Sequence, residues 1–209
     1  MILVHILNSS GDLTHLKSSI QDVSKKTINK VRKKVPVDDV DIVVYKDRFG
    51  VIPEIGIGGF TASENRIMIS IDPDFKDIKE SIKNDLNRII SHELYHVLRK
   101  YTFEHKSTLL ESLINEGLAD HFENEINNTK PNIWDTVLNE KELKRLTKVA
   151  EKDFDNYDYN HSEWFFGAGS IPHWAGYSIG YYLVQEFLNR NPEKSPSSIF
   201  KLSAKDFIN

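Results

Sequence analysis

Five consecutive residues, His92-Glu93-Leu94-Tyr95-His96, carry the strongest chemical signal in the chain. A four-residue separation sets both imidazoles on one helix face about one turn apart, where they can share one ion. Imidazole suits Zn²⁺, and Glu93, beside the first histidine, can reach a water on the metal rather than the metal itself. Ile89, Ile90, Leu94, Val97 and Leu98 supply the apolar remainder, so this helix does not need the histidines for packing. The chain has no cysteine, which removes every thiolate site and leaves His, Asp and Glu as the available ligands. A catalytic zinc takes three protein ligands and keeps one position for water, so a further ligand must come from another element. The next helical stretch offers Asn115-Glu116-Gly117-Leu118-Ala119-Asp120, with Glu116 and Asp120 one turn apart on a single face. His105, Glu111, Asp120 and His121 are the alternatives to Glu116.

The elements that must position these residues fall into two groups. Residues 2 to 7 read as a buried strand, and 8 to 12 (NSSGD) as a turn with helix-capping side chains. Leu13, Leu16, Ile20, Val23, Thr27 and Val31 step by three and four along a helix that ends before Pro36. Lys17, Lys25, Lys26, Lys30, Arg32, Lys33 and Lys34 occupy its other face, as cations do on a solvated face near a helix C-terminus. Residues 41 to 46 form a second strand, and 54 to 61 with 66 to 72 form two more joined by a short turn. Gly56, Gly58 and Gly59 weaken the first arm of that hairpin and mark either a bulge or the close approach of a backbone or ligand.

From there the pattern is helical: about 82 to 100, 107 to 125, one or two shorter helices between 133 and 150, and 174 to 189. Residues 151 to 163 carry five carboxylates and one lysine and read as a solvated loop anchored by a few aromatic residues. Strands first and helices second make an α+β protein. With 209 residues, 39% of them hydrophobic, the chain can bury a real core, and 10 Gly and 7 Pro argue against wholesale disorder. A net charge of −4 argues against a nucleic-acid binder that works by phosphate neutralisation. No apolar run exceeds four residues, far short of the roughly 20 needed for a membrane span. The N-terminal residues have no basic stretch before their apolar run, so they read as a strand rather than a signal peptide, and the cysteine-free composition fits the cytoplasm.

Residues 91 to 96 (SHELYH), followed twenty residues after His96 by Glu116 within NEGLAD, resemble the thermolysin-like gluzincin clan, whose second motif is Asn-Glu-x-x-x-Asp. A metzincin would need Gly and His where this chain has Arg99 and Thr102. The gluzincin resemblance implies that Glu116 is the third zinc ligand, that Asp120 hydrogen-bonds the far nitrogen of one ligand histidine, and that Asn115 supports the other. It also implies a zincin-like fold spanning 1–209, with a sheet subdomain and active-site helix over 1–105 and a helical subdomain over 106–209.

More narrowly, the chain resembles the YjaZ-like family of predicted zinc-dependent proteases in its GxGGxT hairpin, its HExxH helix, its EGLA segment and a late Gly176-Tyr177-Ser178-Ile179-Gly180. The clan's open sheet edge, along which a peptide adds by main-chain hydrogen bonds, corresponds to Gly58, Gly59 and Phe60. Tyr177 and His173 are the candidates for stabilising an oxyanion, while Gly176 and Gly180 are equally readable as helix-packing residues.

The expectation is therefore a zinc metallopeptidase acting on a peptide or protein substrate. Zn²⁺ on His92, His96 and Glu116 would acidify a water, and Glu93 would take its proton and return it to the leaving amine. A catalytically silent zincin-fold binding module and a zinc hydrolase of a non-peptide amide are the rivals.

Overall fold

The computed structural model describes residues 1–102 and 106–208. It divides into two compact units, Met1–Glu104 and His105–Asn209. The first is built on a mixed four-stranded sheet, β1 (Ile2–Ile6), β2 (Val40–Lys46), β3 (Ile57–Ser63) and β4 (Arg66–Ile71), in the order β1-β2-β4-β3. β2 runs parallel to both β1 and β4, and β3 returns antiparallel to β4, so β3 ends the sheet. Period-two alternation puts Ile42, Val44, Ile67, Ile69 and Ile71 into the core with no exposed surface. Helix α1 (Lys17–Arg32) crosses from β1 to β2 and packs on α3 (Leu86–Arg99), which lies over β3 and β4. A short α2 (Ile78–Asn84) precedes α3.

Three boundaries differ from the sequence expectation, each for a local reason. Helix α1 begins at Lys17 because the Asn8 side chain accepts the Leu13 amide at 2.8 Å and donates to Thr14 Oγ1 at 2.9 Å, holding residues 11–16 in tight turns. Leu13 and Leu16 are buried all the same. Strand β3 begins at Ile57, since the Ile55 and Gly56 amides both turn back to the Ile52 carbonyl and Gly56 has φ +66°, a left-handed conformation that glycine accepts without strain. The helix expected over 82–100 is instead α2 and α3. Asp85 divides them: its amide closes α2 on the Ser81 carbonyl at 2.7 Å, and its own carbonyl accepts from Arg88 and Ile89 to open α3.

The second unit is helical: α4 (Leu109–Asn127), α5 (Glu140–Ala150), α6 (His161–Phe166) and α7 (Ala175–Arg190), with 3-10 turns between and after them. Thr108 and Glu111 form a capping box that starts α4, and Asn139 and Glu142 form another that starts α5. Helix α4 is buried along most of its circumference, with α7 packed against it. Gly117 of α4 and Gly180 of α7 meet at that crossing, where a methyl group on Gly117 would strike the Gly180 carbonyl and one on Gly180 the Leu113 carbonyl. Residues 151 to 163 are not a simple loop. Glu151–Asp153 form a 3-10 turn, and α6 starts at His161, capped by Asn160 Oδ1 accepting the Glu163 amide at 3.2 Å. Among the described residues no helix is long and apolar enough to cross a membrane.

Candidate active site

Within the first unit, α3 carries His92, Glu93 and His96. The two Nε2 atoms lie 3.0 Å apart and the rings meet edge-on, with centroids 4.6 Å apart and planes at 86°. His96 is buried against Tyr101, its ring centroid 5.1 Å away, while His92 is half-buried. Two imidazole nitrogens converging in this way fit a shared divalent ion of the kind that favours imidazole ligands.

Glu93, between the two histidines in sequence, is buried and lies against β3 of the sheet. Thr61 of β3 donates its hydroxyl to Glu93 Oε2 at 2.8 Å, with the Glu93 carbonyl oxygen at 3.1 Å. Gly59, two residues earlier on the strand, makes room for this. A methyl group there would come within 2.6 Å of Ile89 Cγ2 and 3.1 Å of Glu93 Cγ. Gly58 faces the Gly50 carbonyl and the Ser70 hydroxyl. The small residues of β3 thus admit the chain's own neighbours, α3 above all. Phe60 is partly exposed, and β3 pairs with β4 along one edge, while an isolated bridge joins Ile52 to Ile57.

In the second unit, Asn115, Glu116 and Asp120 lie on α4 and all three are buried. The Asn115 side-chain amide donates to the Glu111 carbonyl at 2.7 Å. Tyr159 and His161, given no role by sequence reasoning, sit within electrostatic reach of Glu116. The Tyr159 hydroxyl is hydrogen-bonded to Ser112 Oγ at 2.6 Å, and burial raises its pKa, an effect that the Glu116 charge reinforces. His161 lies flat on Phe165, with centroids 4.5 Å apart. Loss of solvation pushes its pKa below the ordinary value, and the Glu116 charge pushes it back up. Both residues fall in the acidic segment, where the capping side chain of Asn160 was the signal for a helix starting at His161.

Asp120 belongs to a buried acidic group with Glu123 and Asp135. Burial, then the charges of Asp120 and Glu123, drive the Asp135 pKa far above the carboxylate range, the direction expected of a carboxyl buried among other acids. The Asn132 backbone amide steadies Asp135 at 2.5 Å, and the Asn132 side chain donates to Glu123. Tyr181, facing the same acids, has its phenol pushed up to about 12, first by burial.

The other ligand alternatives are occupied differently. Glu111 closes the α4 capping box, and His121 donates Nε2–H to the Tyr181 carbonyl at 3.0 Å, its ring stacked on the Tyr181 ring. His105 lies outside the described residues. Tyr177 stands in the first turn of α7 with its ring edge-on to Phe165 at 5.2 Å, and His173, exposed, stacks on Trp174 at 4.3 Å. Gly176 packs under the Phe165 ring and Gly180 on α4, so the late glycine pair serves helix packing.

Among curated proteins, the chain is similar to the uncharacterized protein YjaZ of Bacillus subtilis (strain 168), 26% identical over 230 residues that span 99% of this chain and 84% of YjaZ. It is also similar to the uncharacterized protein YjfC of the same strain, 27% identical over 168 residues, 73% of this chain and 54% of YjfC. The match thus spans about half of YjfC. No solved structure matches the chain. The family model described as "Predicted Zn-dependent protease (DUF2268)" matches residues 20–209, a stretch that includes α3 and α4, and the chain belongs to that family.

Proposed function

We propose that this chain is a zinc metallopeptidase with a zincin-like fold of the gluzincin type, using His92, His96 and Glu116 as metal ligands. The observation that carries the proposal is the geometry of α3, where two histidine nitrogens converge 3.0 Å apart beside a buried glutamate held by a hydrogen bond. Glu116 is preferred as third ligand because Glu111 and His121 are engaged in the contacts described above and because the glutamate of the resembled Asn-Glu-x-x-x-Asp motif falls on it.

When bound, zinc supplies Lewis-acid chemistry, acidifying water and polarising the scissile carbonyl. Glu93 accepts a proton from the attacking water and delivers it to the leaving amine. Asn115 and Asp120 orient the ligand histidines. An extended peptide lies along the Gly58–Phe60 edge of β3, bonded through its backbone rather than through room left by the glycines. The donor to the developing oxyanion comes from the second unit. Tyr177 and His173 are the candidates by resemblance, and His161 is favoured by the action of the Glu116 charge on its ring. The cysteine-free composition agrees with a cytoplasmic protein.

A silent binding module has no use for a buried glutamate beside a histidine pair, since structural zinc sites are closed by four protein ligands. Metal analysis of protein purified without an affinity metal, for the parent and Glu116→Ala, tests the ligand set. About one zinc per chain in the parent and a much weakened site in the variant are expected. A peptide library run against small amide substrates then separates peptidase from amidase. Parent protein that stays folded and takes up no zinc would overturn the proposal.

A further inference from the structure

We infer that Thr61 is a positioning residue for Glu93, setting the direction of its carboxylate from the edge strand. The inference rests on the peptidase reading above for the role of Glu93, but the contact itself stands on geometry within the first unit. Thr61 is buried on β3 and its hydroxyl has one proton to give. Two acceptors are in range, Glu93 Oε2 at 2.8 Å and the Glu93 carbonyl oxygen at 3.1 Å. The carbonyl is served by the amide one turn further along α3, as in any helix, whereas Oε2 is the closer acceptor, so the proton goes to Oε2.

A β-branched side chain in a strand has few accessible rotamers, so the direction of this bond is fixed by the backbone of β3. Gly59 completes the arrangement. Its missing side chain leaves a space that Glu93 Oε1 overhangs, 3.2 Å from where a Cβ would stand. One strand therefore holds one carboxylate oxygen by a hydrogen bond and leaves a seat for the other. A freely rotating glutamate would spend much of its time away from the attacking water, and restricting it raises kcat without changing how substrate binds.

The test compares Thr61→Val, which keeps shape and removes the hydroxyl, with Thr61→Ser, which keeps the hydroxyl, in the zinc-loaded full chain on a peptide that the parent cleaves. Thr61→Val should lower kcat by ~10- to 100-fold with KM and zinc stoichiometry unchanged, and Thr61→Ser should stay within ~3-fold of the parent. Thr61→Ala is a second deletion if the valine variant fails to fold. A readout independent of activity comes from urea midpoints of the metal-free parent, Thr61→Val, Glu93→Ala and the double variant. The shifts should fail to add, because the valine substitution has little left to disrupt once the carboxylate is gone. Additive midpoints, or a Thr61→Val enzyme with parental kcat beside an inactive Glu93→Gln, would overturn the inference and leave the peptidase reading intact. A parent that takes up zinc but cleaves no peptide would end that reading and the role of Thr61 with it.

Discussion

Gly117 and Gly180 face each other across the contact between α4 and α7, each standing where the other helix's backbone leaves no room for a methyl group. The obstacles are carbonyl groups rather than the ends of flexible side chains, so nothing nearby can swing away. Gly117→Ala or Gly180→Ala should each cost about 1–3 kcal/mol, more than the small gain in helix propensity returns. Because the two share one contact, the double variant should cost less than the summed singles. Urea unfolding of the three proteins measures this, and parental stability in Gly117→Ala would contradict the crossing as described.

Asp135 provides a pH test. Its folded-state pKa lies well above the ordinary value of 3.8. Between those two values the native chain holds a proton that the unfolded chain has released, so stability declines as pH rises, by ~1.4 kcal/mol per pH unit. The contribution is fully present below the ordinary value. Asp135→Asn imitates the protonated carboxyl and removes the slope. Urea midpoints of the metal-free parent and variant should therefore draw apart as pH is raised from about 5 to about 8, with the variant more stable at the upper end. Parallel profiles would show that Asp135 titrates as an ordinary carboxylate.

Lys100 ends α3 in the left-handed region at φ +56°, a conformation that costs a side-chain-bearing residue about 1–2 kcal/mol. Its ammonium is exposed and only loosely paired with Glu64 at 3.9 Å, a contact that contributes little. Lys100→Gly should stabilise the chain by about 0.5–1 kcal/mol and raise Tm by a few degrees. A lower Tm would mean that the Lys100 side chain contributes more than its backbone costs.

The choice among oxyanion donors can be made by kinetics. His161→Ala should lower kcat by ~100- to 1000-fold, whereas Tyr177→Phe and His173→Ala should have much smaller effects. A larger loss in Tyr177→Phe would move the role to α7, and one in His173→Ala to the segment just before it.

How much of this was legible in the chain differs with the range of the interaction. The convergence of His92 and His96 follows from helical spacing, which is a local property. So do the starts of α4 and α5, whose capping pairs stand three residues apart in the sequence. The break at Asp85 was hidden because the apolar stripe runs through it, and only the hydrogen bonds on either side reveal two helices. The glycines of β3 signalled a close approach, but nothing in their spacing could say that α3 was the partner. The surroundings of Tyr159, His161 and Asp135 are not legible for a related reason. Their importance comes from neighbours 12 to 47 residues distant, and an acidic stretch looks solvated until a tertiary contact desolvates part of it.

The fit between β3 and α3 also bears on how the first unit opens. Two successive glycines make β3 a poor strand by itself, and its order is maintained by Ile89 and Glu93 lying over Gly59 and by the Thr61 hydroxyl. A strand with so little intrinsic preference has no reason to persist once the helix lifts. Amide hydrogen exchange should therefore find the two elements leaving the native state together, with matching opening free energies for the protected amides of Phe60 and Thr61 and those of the second turn of α3. The strand proposed to receive substrate and the helix proposed to hold the metal would then be a single cooperative unit, breathing in unison.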